Sequence, residues 1–81
     1  MLILNDVERK AKDVVTRHFK KHRGPLDLET RFREDLGADS LDLIELLFEL
    51  EQELGVSIPD AAAADLRTIG DAVRYIERAR P

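Results

Sequence analysis

Cysteine is absent from these 81 residues, which excludes a disulfide frame, a thiolate metal site and any thiol chemistry performed by a side chain. Proline and glycine are scarce, three and four respectively, and they cluster near element boundaries; with 37% charged residues the chain reads as a compact helical domain, not a disordered segment. No hydrophobic run reaches the length of a membrane span. Met1-Leu2-Ile3-Leu4 is too short even for a signal-peptide core, so the expectation is a soluble cytoplasmic protein. The length suits one domain, residues 1–81, burying roughly 60 to 65% of its unfolded surface.

What charge is present is unevenly placed. Residues 1–23 carry seven Lys/Arg against three acids, whereas residues 24–66 carry twelve acids against only Arg31 and Arg33; residues 67–81 are again basic, by four to two. A net charge of -10 in the central segment repels nucleic acid and steers a basic protein toward it.

Helical periodicity dominates the apolar pattern. Asn5 is placed to cap a first helix, with Glu8 completing a capping box, and Val7, Ala11, Val14 and His18 form its core stripe, widened by Val15 and Phe19. Lys20 to Arg23 supply positive charge for its C-terminus before Gly24-Pro25 stops it. Residues 24–39 hold no sustained period; Leu26, Leu28, Phe32 and Leu36 predict an ordered loop pinned to the core, with room for one short helical turn. Asp39 is a natural N-cap for a second helix running to Leu54, with Gly55 ending it. Its core face is Leu43, Leu46, Leu47, Leu50 and Leu54. Leu41, Ile44 and Phe48 form a second apolar line, with Asp42, Glu45, Glu49, Glu51 and Glu53 beside them. A short helix over Ala61–Leu66 capped by Asp60 and a last helix capped by Thr68, with Ile69, Ala72, Val73 and Ile76 inward, complete an all-α, small antiparallel four-helix bundle: three longer helices, one short one and a long first loop.

Ser40 stands between Asp39 and the helix beyond it, just after the Gly37 turn. Asp-Ser-Leu by itself is adequately explained as a helix cap. As a catalytic nucleophile the serine is poorly equipped, lacking both a Gly-x-Ser-x-Gly elbow and a histidine nearby in sequence. His18 and His22 are four apart but without a third ligand, and the acids from Asp35 to Glu45 miss the spacing of a calcium-binding loop, so no metal site is expected.

Taken together, Glu34-Asp35-Leu36-Gly37-Ala38-Asp39-Ser40-Leu41-Asp42, Glu45-Leu46, Leu50-Glu51, Ile58-Pro59-Asp60 and Tyr75-Ile76 resemble the acyl carrier proteins over about residues 32–76. The resemblance implies a stand-alone carrier that is not an enzyme. It implies a 4′-phosphopantetheine arm joined to Ser40 through a phosphodiester, its thiol holding acyl groups as thioesters for fatty-acid, polyketide or specialised lipid biosynthesis. It also implies a partner-docking face of Leu41, Ile44 and Phe48 flanked by Asp35, Asp39, Glu45 and Glu51, met by a phosphopantetheinyl transferase, acyltransferases, synthases and other acyl-processing enzymes. Phe32, Leu50, Ile58, Leu66, Ala72 and Tyr75 match positions lining an acyl-chain cavity, although ordinary core packing accounts for them equally well. The Ala38-Asp39-Ser40 context favours acyl over peptidyl carriers, which tend to have a histidine before the serine.

The uncharged Ala61–Ala64 run, Gln52 in place of a frequent acid, the basic first helix and the arginines flanking Phe32 depart from many fatty-acid carriers. A carrier dedicated to a polyketide or other specialised lipid fits these residues as well. No leftover apolar patch demands oligomerisation, so a monomer is expected. The rival reading is an unmodified acidic helical adaptor that binds a basic protein partner.

Overall fold

A computed structural model describes residues 6–20, 22 and 24–79, and places four helices among them: α1 (Asp6–His18), α2 (Ser40–Leu54), α3 (Asp60–Ala63) and α4 (Ile69–Ala79). The all-α expectation holds; the one extended pairing among these residues is an isolated antiparallel bridge between Arg31 and Thr68.

The α1 stripe does what its spacing requires. Val7, Ala11, Val14 and Val15 are buried, and α1 lies against both α2 and α4. On its outer side Arg9 pairs with Asp6 at 2.8 Å and Lys12 with Glu8 at 2.9 Å. The expected cap at Asn5 falls outside the described residues. The helix ends at His18, before the expected stop at Gly24-Pro25: Phe19 N–H still donates to Val15 at 2.9 Å, and His22 N–H then closes a turn on Phe19 at 3.0 Å. Beyond Phe19 the next four residues offer no apolar side chain to bury, so tertiary packing gives a longer helix no support. Besides this packing, two polar contacts among the described residues tie α1 to α2. Arg17 reaches Glu53 at 3.3 Å, and His18 Nε2 lies 2.8 Å from Glu49 Oε1 without hydrogen-bond alignment, two buried atoms with no other partner among the described residues.

The long first loop is ordered by what it does for α4. The leading N–H groups of a helix have no partner within it. Here Ile69 N–H donates to Thr30 O at 3.0 Å and Gly70 N–H to Leu28 O at 2.8 Å, while Phe32 N–H donates to Arg67 O at 3.0 Å. Thr30, the buried polar residue of this segment, receives the Asp27 N–H on its hydroxyl at 3.0 Å. Phe32 is 1% exposed and sits in the core with Leu46, Leu50, Ile69 and Ile76; Leu26, Leu28 and Leu36 pack against the same core. The expected helical turn appears after Phe32, with Asp35 N–H donating to Arg31 O and Gly37 N–H to Arg33 O, each at 3.1 Å. Gly37 then reverses the chain at φ +71.

Caps close the remaining ends. Thr68 and Asp71 form a reciprocal pair at the start of α4, Asp71 N–H on Thr68 Oγ1 at 3.0 Å and Thr68 N–H on Asp71 Oδ2 at 3.2 Å. Gly55 ends α2 in the left-handed region, φ +68. The short helix differs from expectation at both ends. Pro59, not Asp60, occupies the N-cap position and its carbonyl accepts from Ala62 and Ala63, which puts Asp60 in the first turn. The helix stops at Ala63 because Asp65 and Leu66 reach back only three residues, in a tighter winding.

Candidate functional site at the head of the second helix

Everything around Ser40 is held by its neighbours. Ala38 is buried, and its N–H donates to Phe32 O at 2.9 Å, which anchors the end of the loop to the core. One residue later Asp39 caps α2: Asp42 N–H donates to Asp39 Oδ1 at 2.8 Å and Asp39 N–H to Asp42 Oδ2 at 3.1 Å. Ser40 is the first helical residue, and its side chain faces solvent. Each flanking carboxylate therefore holds a backbone N–H in place, and neither approaches the serine hydroxyl as a base. The group that does approach is a cation. Arg33 Nη2 donates to Ser40 Oγ at 3.3 Å across seven residues of chain. A guanidinium cannot accept a proton, so the arrangement presents a hydroxyl without activating it.

Down the helix from Ser40, Leu41, Ile44 and Phe48 are the large apolar side chains left exposed, at 61%, 65% and 59%. Their neighbours Leu46 and Leu50 are fully buried, so α2 turns one face to the core and the other, apolar and acidic, to solvent. The four acids expected around this stripe are not equivalent. Glu45 is exposed and makes no ion pair among the described residues. Asp39 is engaged in the cap. Asp35 accepts Arg31 N–H at 2.8 Å and that residue's guanidinium at 3.2 Å. The Arg31 side-chain hydrogen bond first, then its backbone N–H, holds this carboxyl below the usual aspartate range. Glu51 is half-buried, and its Oε2 accepts Ile58 N–H at 2.6 Å, tying the segment after Gly55 back onto α2.

Of the six residues expected around an acyl cavity, Phe32, Leu50, Ile58 and Ala72 are buried in the common core, while Leu66 and Tyr75 lie at its margin. A recess of about 200 Å³ opens between the loop, α2 and α3, and it brings together Phe32 and Leu66 with Leu43, Ala63 and Arg67. Leu50, Ile58, Ala72 and Tyr75 do not line it. The contribution of Ala63 was hidden in a featureless alanine run, and that of Leu43 in its reading as plain core. Arg33 was visible as one of only two cations in the acidic segment, but its reach to Ser40 depends on the turn between them.

The fold and this end of it define a small helical scaffold that displays an exposed hydroxyl beside an exposed apolar stripe. A family model described as the phosphopantetheine attachment site matches residues 13–76. Acyl carrier proteins from two strains of Porphyromonas gingivalis are each 41% identical over 75 residues, covering 93% of this chain and 96% of theirs. The solved structure of a candidate acyl carrier protein from Mycobacterium tuberculosis superposes with a TM-score of 0.81 at 29% identity, covering 89% of this chain and 96% of that one. The chain belongs to the acyl carrier protein family, whose domain bears the phosphopantetheine attachment site. It is a carrier of acyl intermediates that interacts with acyl-processing enzymes, and the adaptor reading is set aside. No helix among the described residues is long and apolar enough to cross a membrane.

Proposed function

We propose that Ser40 is the attachment residue and that the exposed face of α2 is what partner enzymes read. The observation that carries this is the placing of Ser40: an exposed hydroxyl at the first turn of a capped helix, with a guanidinium beside it and, among the described residues, no base bonded to it. The site fits a phosphodiester, since a monoanion there meets both the Arg33 guanidinium and the positive end of α2. When bound, the arm supplies a terminal thiol that carries an acyl group as a thioester. The chain's own residues hold and present it. Asp39 and Asp42 fix the helix start, Gly37 makes the left-handed turn that leads into it, and the absence of cysteine leaves no side-chain thiol to compete for the acyl group.

Leu41, Ile44 and Phe48 form an apolar centre small enough for brief contacts, and Glu45, Asp35 and Asp39 surround it with charge that orients a basic visitor. A phosphopantetheinyl transferase, then acyltransferases and synthases, are the partners this face suits. Glu51 contributes charge from a position set by its bond to Ile58. For the acyl chain, the recess beside Phe32 and Leu66 is the entry into the core, with Leu50, Ile58, Ala72 and Tyr75 behind or beside it. The uncharged Ala61–Ala64 and the basic residues 1–23 suit enzymes of a polyketide or other specialised lipid pathway as well as those of fatty-acid synthesis.

Incubation with coenzyme A, magnesium and a broad-specificity phosphopantetheinyl transferase, followed by intact mass measurement, tests the assignment. The mass should rise by one phosphopantetheine, and Ser40→Ala should abolish the gain. A gain that survives Ser40→Ala would place the arm elsewhere.

A further inference from the structure

We propose that Arg33 is a built-in phosphodiester receptor, which grips the arm at its root and fixes the direction in which it leaves the protein. The proposal rests on Ser40 being the attachment residue and adds a second residue to that site.

Between Gly24 and Leu66 the chain has two cations, and they are used differently. Arg31 is matched: its guanidinium lies 3.2 Å from the Asp35 carboxylate, and Asp35 also accepts its N–H. Arg33 has no carboxylate within 4.0 Å among the described residues, although twelve acids share its segment. Its side chain goes instead to Ser40 Oγ at 3.3 Å. A neutral hydroxyl is a weak partner for a guanidinium, and one contact leaves most of the five donors of the group unused. Attaching a phosphodiester through Oγ puts two non-bridging oxygens, sharing one negative charge, two bonds beyond the atom that Arg33 already touches, and a planar fork of donors is the shape that meets them in pairs.

Position supports the same assignment. Arg33 belongs to the turn after Phe32: its carbonyl accepts Gly37 N–H at 3.1 Å and the carbonyl of buried Phe32 accepts Ala38 N–H at 2.9 Å, so its backbone is fixed relative to Ser40. It also lines the recess with Phe32, Glu34, Leu43 and Leu66. A phosphodiester held there lies on the recess side of α2, and the arm begins its course toward that opening and away from the Leu41–Ile44–Phe48 stripe. Asp39 and Asp42 repel a phosphate, and Arg33, already in contact with Ser40 Oγ, is placed to offset them.

The test uses the full chain loaded with its arm, with intact mass confirming one phosphopantetheine on Ser40. Phosphorus NMR of the phosphodiester and melting temperatures of apo and holo forms are then compared for wild type, Arg33→Gln and Arg33→Lys at low salt. Arg33→Gln should move the phosphorus resonance and lower the holo-minus-apo melting difference by roughly 3 °C relative to wild type. Arg33→Lys should fall between them, since the ammonium keeps the charge and loses the fork. In wild type, added NaCl should carry the phosphorus resonance toward its Arg33→Gln position. Identical phosphorus resonances and identical melting differences in wild type and Arg33→Gln overturn the proposal while leaving Ser40 as the attachment point. Absence of a mass gain on the wild type overturns the attachment reading itself. If Arg33→Gln resists loading, the Arg33 Nε–H resonance of the wild type decides: unmoved between apo and holo forms, it overturns the proposal.

Discussion

The carbonyl oxygen of Leu28 lies 2.7 Å from the point that a β-carbon on Gly70 would occupy. The same oxygen accepts Gly70 N–H at 2.8 Å, so the loop can serve the head of α4 only where no side chain intervenes. Alanine at this position has a helix-propensity advantage of about 1 kcal/mol over glycine. The clash is with backbone and should outweigh it: Gly70→Ala is expected to destabilise the fold by about 1–3 kcal/mol. Urea unfolding monitored by far-ultraviolet circular dichroism reads this directly. A midpoint equal to or above that of wild type refutes the account.

Glu45 and Glu51 should separate under mutation although they lie on the same helix. Glu45 makes no ion pair or side-chain hydrogen bond among the described residues, so Glu45→Lys should leave the urea midpoint within about 0.5 kcal/mol of wild type while slowing modification by a phosphopantetheinyl transferase. The slowing should shrink as salt is added. Glu51→Ala removes the acceptor of Ile58 N–H and should destabilise by about 1–2 kcal/mol. If Glu45→Lys is modified at the wild-type rate at low salt, the acidic docking face is misassigned.

Asp71 gives the cap of α4 a defined acid limit. Burial pushes its carboxyl up, but the N–H groups of Arg67 and Thr68, the Arg74 guanidinium and the Thr68 hydroxyl together hold it below the ordinary value of 3.8. A depressed folded pKa means that the cap contributes its full stability above the unfolded value and loses it as pH falls through the folded one. At pH 7, Asp71→Asn should therefore destabilise by about 1 kcal/mol. Below pH 3.8 the difference between the two proteins should narrow toward zero. Parallel stability curves across that range would show that the carboxylate charge is not what holds the cap.

Local chemistry made much of this molecule readable in advance. Asp39 and Thr68 cap the helices they precede, Gly55 turns where a left-handed residue is needed, and Phe32 buries itself from inside an aperiodic loop. Each of these depends on a few residues in succession. Less readable were features set by tertiary contact: the end of α1 at His18, the replacement of Asp60 by Pro59 at the cap of α3, and the Glu51–Ile58 and Arg33–Ser40 contacts across seven residues each. Arg33 and Arg31 look alike in sequence, and only the turn between Phe32 and Gly37 decides which one faces an aspartate and which one the serine.

The carboxylates of Asp35, Asp39 and Glu51 are each fastened to a backbone N–H, at Arg31, at Asp42 and at Ile58. Their side chains are already ordered before any enzyme arrives, so little rotamer entropy is lost when one docks. Orientation and affinity are thereby uncoupled. On the docking face proposed above, a visitor is aligned to the serine by a stiff pattern of charge yet held by only three apolar side chains, which lets a short-lived complex be an accurate one.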